Sequence, residues 1–322
     1  MIKPRDNFII ALEGGQPVGR VPHFELVFLL TMEALGRVHP MHRHFAQWHQ
    51  MSNNEKRFQL LDIADVYVAT ARKYEHSAIF VHNQGVCDFD RNDQTMQILE
   101  NIRQLSGRDY FIMMHGDATY AIPNGERLIQ FIMEMADRPQ KVKDTAKKNV
   151  EIALNNAERF RTHGLLDGFA LCSDYCFNTG PFLSPVMFDE FITPYLVELI
   201  AGYRSMGFYV IKHTDGNILP ILDSLVAANP HALHSIDPQG GVDIADIKRR
   251  VGKKVCLIGN VNCGLLDTGT DQEVAESVRY ALKYGMPGGG YIFSTSNCIY
   301  TGMDIKRYEL MLNIWRQEGN YE

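Results

Sequence analysis

The chain of 322 residues is 45% hydrophobic and 22% charged, ordinary globular values that exclude a disordered or low-complexity protein. Its net charge of −6 offers no basic footprint for nucleic acid or anionic lipid, which leaves a small or neutral partner. No stretch reaches the roughly 18 uninterrupted apolar residues of a membrane helix, since Glu25 and Glu33 interrupt the nearest one, and Met1–Asn7 lacks the apolar core of a signal peptide, so the cytoplasm is the expected compartment.

In chain order, Val21–Leu26 predicts a first strand, and helical material over Met41–Lys73 follows, amphipathic from Asn54. This insertion reads as a lid or as the contact of a homodimer. Strand Ser77–His82, helix Asp93–Leu105, strand Tyr110–His115 and helix Gly125–Ala136 come next. The alternation continues with strand Gly168–Ser173, helix Ser184–Ser205, and strands Phe208–His213, Ala232–Ile236 and Val255–Asn260. Helix Asp271–Tyr284, strand Tyr291–Thr295 and helix Asp304–Arg316 complete it. Eight strands separated by helical or turn-rich connections predict an α/β fold whose parallel sheet closes into a (β/α)8 TIM barrel with an N-terminal helical extension. One such domain uses residues 1–322, with no Pro/Ser/Gly-rich linker to divide it. An open doubly wound sheet would carry a glycine-rich phosphate turn after the first strand, where this chain has His23-Phe-Glu-Leu-Val-Phe28.

A barrel gathers its chemistry at the C-terminal ends of its strands. Those positions hold His23 and Glu25, His82 and Asn83, His115 and Asp117, Asp174 and Tyr175, His213 and Asp215, Asp237, then Asn260, Asn262 and Cys263, and finally Asn297 and Cys298. Ionisable groups crowded on one rim cost desolvation, which points to a site rather than to packing. Taken singly, Asp215, Asp237 and Asn262 suit helix caps equally well. Cys263 and Cys298 follow adjacent strands, and two thiolates beside an imidazole or carboxylate form the set that Zn²⁺ prefers. His213, Asp237, Asp215 and Glu25 are all placed to supply a third ligand. Cys172 and Cys256 lie within strands and read as packing, while Cys87 and Cys176 fall in loops without an assigned role.

The segment Phe182-Leu-Ser-Pro-Val-Met-Phe-Asp-Glu-Phe-Ile-Thr-Pro-Tyr-Leu196 resembles the signature helix of the uroporphyrinogen decarboxylase superfamily. Asp167-Gly-Phe-Ala-Leu-Cys-Ser-Asp174, Lys212-His-Thr-Asp-Gly-Asn217, Ser235-Ile-Asp-Pro238 and Ile258-Gly-Asn-Val261 fit the same pattern, from about residue 110 onward. That superfamily contains porphyrinogen decarboxylases and zinc-dependent methyltransferases that serve corrinoid proteins. The decarboxylases carry an arginine-rich segment after the first strand, and Glu25–Glu33 contains no arginine. The resemblance therefore implies the methyltransferase branch, with a His-x-Cys pair changed here to His213-Thr-Asp215. Among its members the chain looks most like the O-demethylase methyltransferases, which combine an aspartate with two cysteines. By that likeness Asp237, Cys263 and Cys298 hold Zn²⁺, with His213 as substitute ligand or supporting partner. The implied reaction moves a methyl group from a small methylated donor, such as an aromatic methyl ether, to the cobalt of a corrinoid (cobalamin) on a separate protein. Glu25, His115, Asp174 and Tyr175 are the candidate acids for the leaving group. Phe24, Phe28, Phe177 and Met114 are candidates for a pocket around a flat ring. A divergent decarboxylase and a non-catalytic ligand-binding barrel are the alternative readings.

Overall fold

Seven short apolar runs pair in parallel into one sheet in a computed structural model that describes residues 2–45, 47–82 and 91–321. In chain order the strands are β1 (Ala78–Val81), β2 (Phe111–His115), β3 (Gly168–Leu171), β4 (Cys176–Phe177), β5 (Gly180–Pro181), β6 (Tyr209–His213), β7 (Ala232–His234), β8 (Cys256–Val261) and β9 (Tyr291–Thr295). The sheet runs β1-β2-β3-β6-β7-β8-β9, while β4 and β5 form a small antiparallel hairpin beyond β3. Helices link most successive strands of the sheet, as parallel pairing requires.

The expected first strand over Val21–Leu26 does not form as a regular strand, so seven strands replace the eight predicted. Pro22 has no N–H to give to a ladder, which leaves isolated contacts in its place. The Phe293 N–H donates to Pro22 O at 2.9 Å, the Phe24 N–H donates to Phe293 O at 3.3 Å, and the Ser77 N–H donates to His23 O at 2.6 Å. Phe293 lies in β9 and Ser77 immediately precedes β1, so this one irregular segment touches both edges of the sheet.

Side chains alternate along the strands and separate two apolar clusters. Phe80, Phe111, Met113, Ala170, Ile211, Ala232, Ile258 and Ile292 form one, together with Phe8, Ala11 and Leu12 of the helix Pro4–Leu12. Ile79, Ile112, Val210, Leu233, Leu257 and Phe293 face the other way, into the cluster shared with the outer helices. The helix Pro4–Leu12 is fastened near the start of β3, where Asp167 receives Arg5 Nη2 at 2.7 Å and Arg103 Nη2 at 2.8 Å. The N-terminal end of the sheet is thus sealed by apolar packing and a buried ion triad. Chemistry is left to the other end.

The helical material expected over Met41–Lys73 resolves into 3-10 turns at Pro40–His42 and Trp48–Gln50 and a helix at Asn53–Tyr74. That helix buries Leu60, Ile63, Ala64 and Val68 and belongs to the layer packed against the sheet. The helix expected over Ser184–Ser205 breaks at Ile192, where Pro194 in the first turn of Thr193–Ser205 offers no backbone donor to the preceding helix. The helices Pro4–Leu12, Thr31–Leu35, Pro139–His163, Leu222–Ala227, Ile244–Val251 and Cys263–Thr268 lie outside the helical segments that the sequence singles out. Among the described residues, no helix is long and apolar enough to cross a membrane.

Candidate metal centre at the C-terminal end of the sheet

Parallel pairing sets His213, the last residue of β6, opposite His234, the last residue of β7. Alternation places His213 on the same face as Ile211, above the inner apolar cluster. Three loops beyond the strands are then laced together. The Tyr175 N–H donates to Thr214 Oγ1 at 2.9 Å, the Asp215 N–H to Asp174 Oδ1 at 3.3 Å, and the Gly216 N–H to Asp237 Oδ2 at 3.1 Å. Gly216 has φ of +75°, and a Cβ there would come within 2.6 Å of Phe177 O and 2.7 Å of Cys176 O. Only glycine lets these loops approach so closely.

Beneath them, Lys212 is fully buried. Its Nζ donates to Asp117 Oδ2 at 2.9 Å and to Ser173 O at 2.8 Å, and lies 4.0 Å from the centroid of the Tyr175 ring. Burial alone would raise the Asp117 carboxyl, but Lys212, Thr119 and the Ser173 amide outweigh it and hold the group at about 2. This ion pair is satisfied on all sides and fixes the segment that carries Asp174.

His213 Nε2 lies 3.7 Å from Asp174 Oδ1 and 3.6 Å from Asp215 Oδ1. Among the described residues, Asp174, His213 and Asp215 are the one group of three or more His, Cys, Asp or Glu whose ligand atoms all fall within 4.8 Å of one another. Asp215 Oδ2 accepts from Asn297 Nδ2; Oδ1 is buried with no partner at hydrogen-bonding distance, and the nearby Ser235 hydroxyl only partly eases the carboxylate's charge. Burial, reinforced by the Asp174 charge, pushes the Asp215 carboxyl up to about 7. Burial pulls His213 down to about 4, so its imidazole is neutral near pH 7. A neutral imidazole, a carboxylate oxygen without a hydrogen-bond partner and a second carboxylate thus converge on one point. Zn²⁺ fits this donor set, since tetrahedral Zn–N and Zn–O bonds of about 2.0–2.1 Å separate neighbouring ligand atoms by about 3.3 Å.

On its other side, His213 Nδ1 is 2.6 Å from His234 Nδ1, and His234 Nε2 is 3.5 Å from Ser294 Oγ. The Ser294 hydroxyl donates to Glu25 Oε2 at 3.2 Å. Burial pushes the Glu25 carboxyl up to about 8 despite hydrogen bonds from Thr295 and Ser294.

The remaining expected residues take other places. Asp237 accepts from the Gly216 and Gln239 amides and lies outside the triad. Cys263 receives no place in it either; its thiol faces Gln239 Oε1 at 3.6 Å and its N–H donates to Ser296 Oγ at 3.3 Å. Cys298 is half-buried, and burial followed by the nearby charge of Asp215 pushes its thiol up to about 12. Cys263 senses the charges of Asp237 and Asp215 beneath a larger effect of burial, which raises it to about 11. Tyr175 is fully buried with its hydroxyl 2.5 Å from Thr119 Oγ1, which gives it a packing part rather than an acid's access. His115 accepts from the Asp117 N–H at 3.3 Å and borders a cleft with Asn149 and Asn156. Phe24, Phe28 and Met114 are core residues, so of the expected aromatic pocket only Phe177 is exposed. Asn83 and Cys87 lie outside the described residues. Asp215, one of four residues the sequence offered as a third ligand, is the one that meets His213 and Asp174, whereas His234 was not singled out; the signal for it was the parallel register that sets it opposite His213.

Residues 118–317 match the family model described as uroporphyrinogen decarboxylase. A uroporphyrinogen decarboxylase from Pseudoalteromonas translucida is 26% identical over 144 residues, 42% of this chain and 38% of that protein. One from Shewanella loihica is 29% identical over 135 residues, 39% of this chain and 35% of that protein. The matched stretch thus spans less than two fifths of these relatives' length. A solved structure of a methyltransferase from Methanosarcina mazei superposes with a TM-score of 0.74 at 16% identity, covering 98% of this chain and 99% of that one. At that identity the likeness is one of fold.

Proposed function

The chain belongs to the uroporphyrinogen decarboxylase family, and from that premise we propose that it is a zinc-dependent methyltransferase moving a methyl group from a small methylated donor to a corrinoid protein. We read the 21–26 segment as the eighth stave of a barrel whose mouth is the active site. The observation that carries the function is the convergence of His213 Nε2, Asp174 Oδ1 and the unpartnered Asp215 Oδ1. These three residues would hold the ion, and Cys298, whose thiol senses Asp215 and Asp174, is a further candidate ligand. Bound there, zinc supplies Lewis acidity toward an ether oxygen, amine or thiol of the donor, provided one coordination position stays open.

The chain's own residues do the rest. His213 presents a neutral lone pair, and the two carboxylates supply the charge that compensates a dication. Glu25 holds a proton on a buried carboxyl up to about pH 8, in the wall behind His213 and His234. Asp174, with a side chain 47% exposed, borders the open side of the group, where the donor would approach. A porphyrinogen decarboxylase is disfavoured on charge. Its substrate's anionic arms would meet Asp174 and, above about pH 7, an ionised Asp215, while Lys212 is already spent on Asp117.

Metal analysis of protein purified without added zinc tests the reading first; close to one equivalent is expected, lost in His213→Ala. Methyl transfer to a corrinoid acceptor is then measured across aromatic methyl ethers, methylamines, methanol and thiols. Zinc retained without transfer from any of them would favour the ligand-binding barrel. A zinc-free protein that removes carboxylates from uroporphyrinogen would overturn the proposal.

A further inference from the structure

Two imidazoles meet at an unusual place. His213 Nδ1 and His234 Nδ1 are 2.6 Å apart and both rings are buried, so one hydrogen lies between them and one ring must donate it. A hydrogen shared by two ring nitrogens has one donor and one acceptor, which leaves two arrangements. If His234 donates, His213 carries its hydrogen on Nε2, pointing toward Asp174 and Asp215. Those oxygens are 3.7 and 3.6 Å away, and a hydrogen directed between them would occupy the point on which the three ligand atoms converge, where the cation would sit. If His213 donates, His234 must carry its hydrogen on Nε2, and Ser294 Oγ at 3.5 Å receives it. The Ser294 hydroxyl is free to receive it because its own hydrogen goes to Glu25 Oε2 at 3.2 Å. Every donor in that series then points away from the triad, and the bare Nε2 of His213 faces it.

We propose that His234, backed by Ser294, is a positioning residue that fixes His213 with its hydrogen on Nδ1 and its Nε2 lone pair aimed between Asp174 and Asp215. The proposal rests on the metal-centre reading above. Ring orientation set from behind is how an imidazole ligand is held ready, and losing such support costs about 10- to 100-fold in metal affinity.

Zinc affinity is measured with zinc alone against a competing chelator, alongside circular dichroism. His234→Leu is expected to bind about 10- to 100-fold more weakly. His234→Asn places Oδ1 where Nδ1 was, still accepts from His213, and should bind within a few-fold of the parent. Ser294→Ala should fall between them. In the zinc-loaded parent, the ¹⁵N shifts of His213 should report hydrogen on Nδ1. Equal affinity of a folded His234→Leu and the parent would overturn the inference and leave the metal centre standing. So would an Asn variant as weak as the Leu variant, since packing alone would then be at stake. A parent that binds no zinc overturns the metal centre and the inference together. Should His234→Leu fail to fold, tight binding by His234→Asn with weakened binding by Ser294→Ala supports the inference, and the reverse order defeats it.

Discussion

Asp215→Asn should move stability in opposite directions according to whether metal is present. In the metal-free chain the Asp215 carboxyl rises from 3.8 to about 7, first because burial disfavours its charge and then because Asp174 is close. Its folded pKa lies above its unfolded one, so between those values the folded state keeps a proton that the unfolded state has lost. Stability therefore falls as pH rises through that window and stays low above it. At about 1.36 kcal/mol per unit, the ionised carboxylate costs the metal-free fold about 4 kcal/mol at pH 8, and coupling to Asp174 argues for about 2–4. Asparagine has nearly the same shape, accepts from Asn297 through Oδ1 and carries no charge. Urea unfolding in chelator at pH 8 should find Asp215→Asn more stable by about 2–4 kcal/mol, with the gap closing near pH 4. At zinc 100-fold above its dissociation constant the parent gains about 2.7 kcal/mol that a weakly binding variant lacks, so the order narrows or inverts. A variant less stable than the parent in chelator at pH 8 would refute the reasoning, because the orphaned oxygen would then be at ease without a cation.

Cys298→Ala should weaken zinc binding without abolishing it, while Cys263→Ala, whose thiol is turned to Gln239, should change it little; chelator competition distinguishes the two. Gly216→Ala should destabilise the fold by more than about 2 kcal/mol in urea and lower zinc affinity as well, since its Cβ would strike the Cys176 and Phe177 carbonyls and displace Asp215. Asp167→Ala strands Arg5 and Arg103 at the sealed end and should cost about 3–5 kcal/mol in the same assay, with zinc affinity per folded molecule unchanged.

Apolar periodicity located all seven paired strands within a residue or two, because runs such as Phe111–Met114 are buried on both faces and read as unbroken hydrophobic stretches. The first predicted strand had the right place and the wrong regularity. Pro22 removes a donor that composition alone does not weigh. The helix Pro139–His163 is polar enough to pass for a loop, and its buried Val142, Ala146 and Val150 show the helical spacing only once its outer face is discounted. At the site, the rim rule brought His213, Asp174 and Cys298 into view, and a preference for sulfur put Asp237, Cys263 and Cys298 ahead of the group whose ligand atoms converge in the structure. Asp215 could be a cap or a ligand on sequence grounds. In the structure Asn297 occupies one of its oxygens while the other faces His213, and such pairing across loops 82 residues apart leaves no local trace. Tyr175 reads as an acid at a strand end until Lys212 is seen lying against its ring.

The donor set has a consequence for the chemistry. Asp237, Cys263 and Cys298 would surround a dication with three negative charges and dull it as a Lewis acid. Asp174, Asp215 and a neutral His213 bring two, which leaves the ion electrically balanced and more demanding of a fourth donor. That fourth donor can be the substrate's own heteroatom, or the Cys298 thiolate when the site rests. Oxygen and nitrogen ligands also discriminate less among first-row divalent metals than thiolates do, so cobalt should enter the emptied site readily. Cobalt-substituted protein then reports the ligands directly. A sulfur-to-cobalt charge-transfer band that disappears in Cys298→Ala places that thiolate on the ion. A band that survives in Cys298→Ala and is lost in Cys263→Ala would return the site to the thiolate arrangement that the sequence suggested, and would make the Asp174–His213–Asp215 convergence a feature of the loops rather than of the metal.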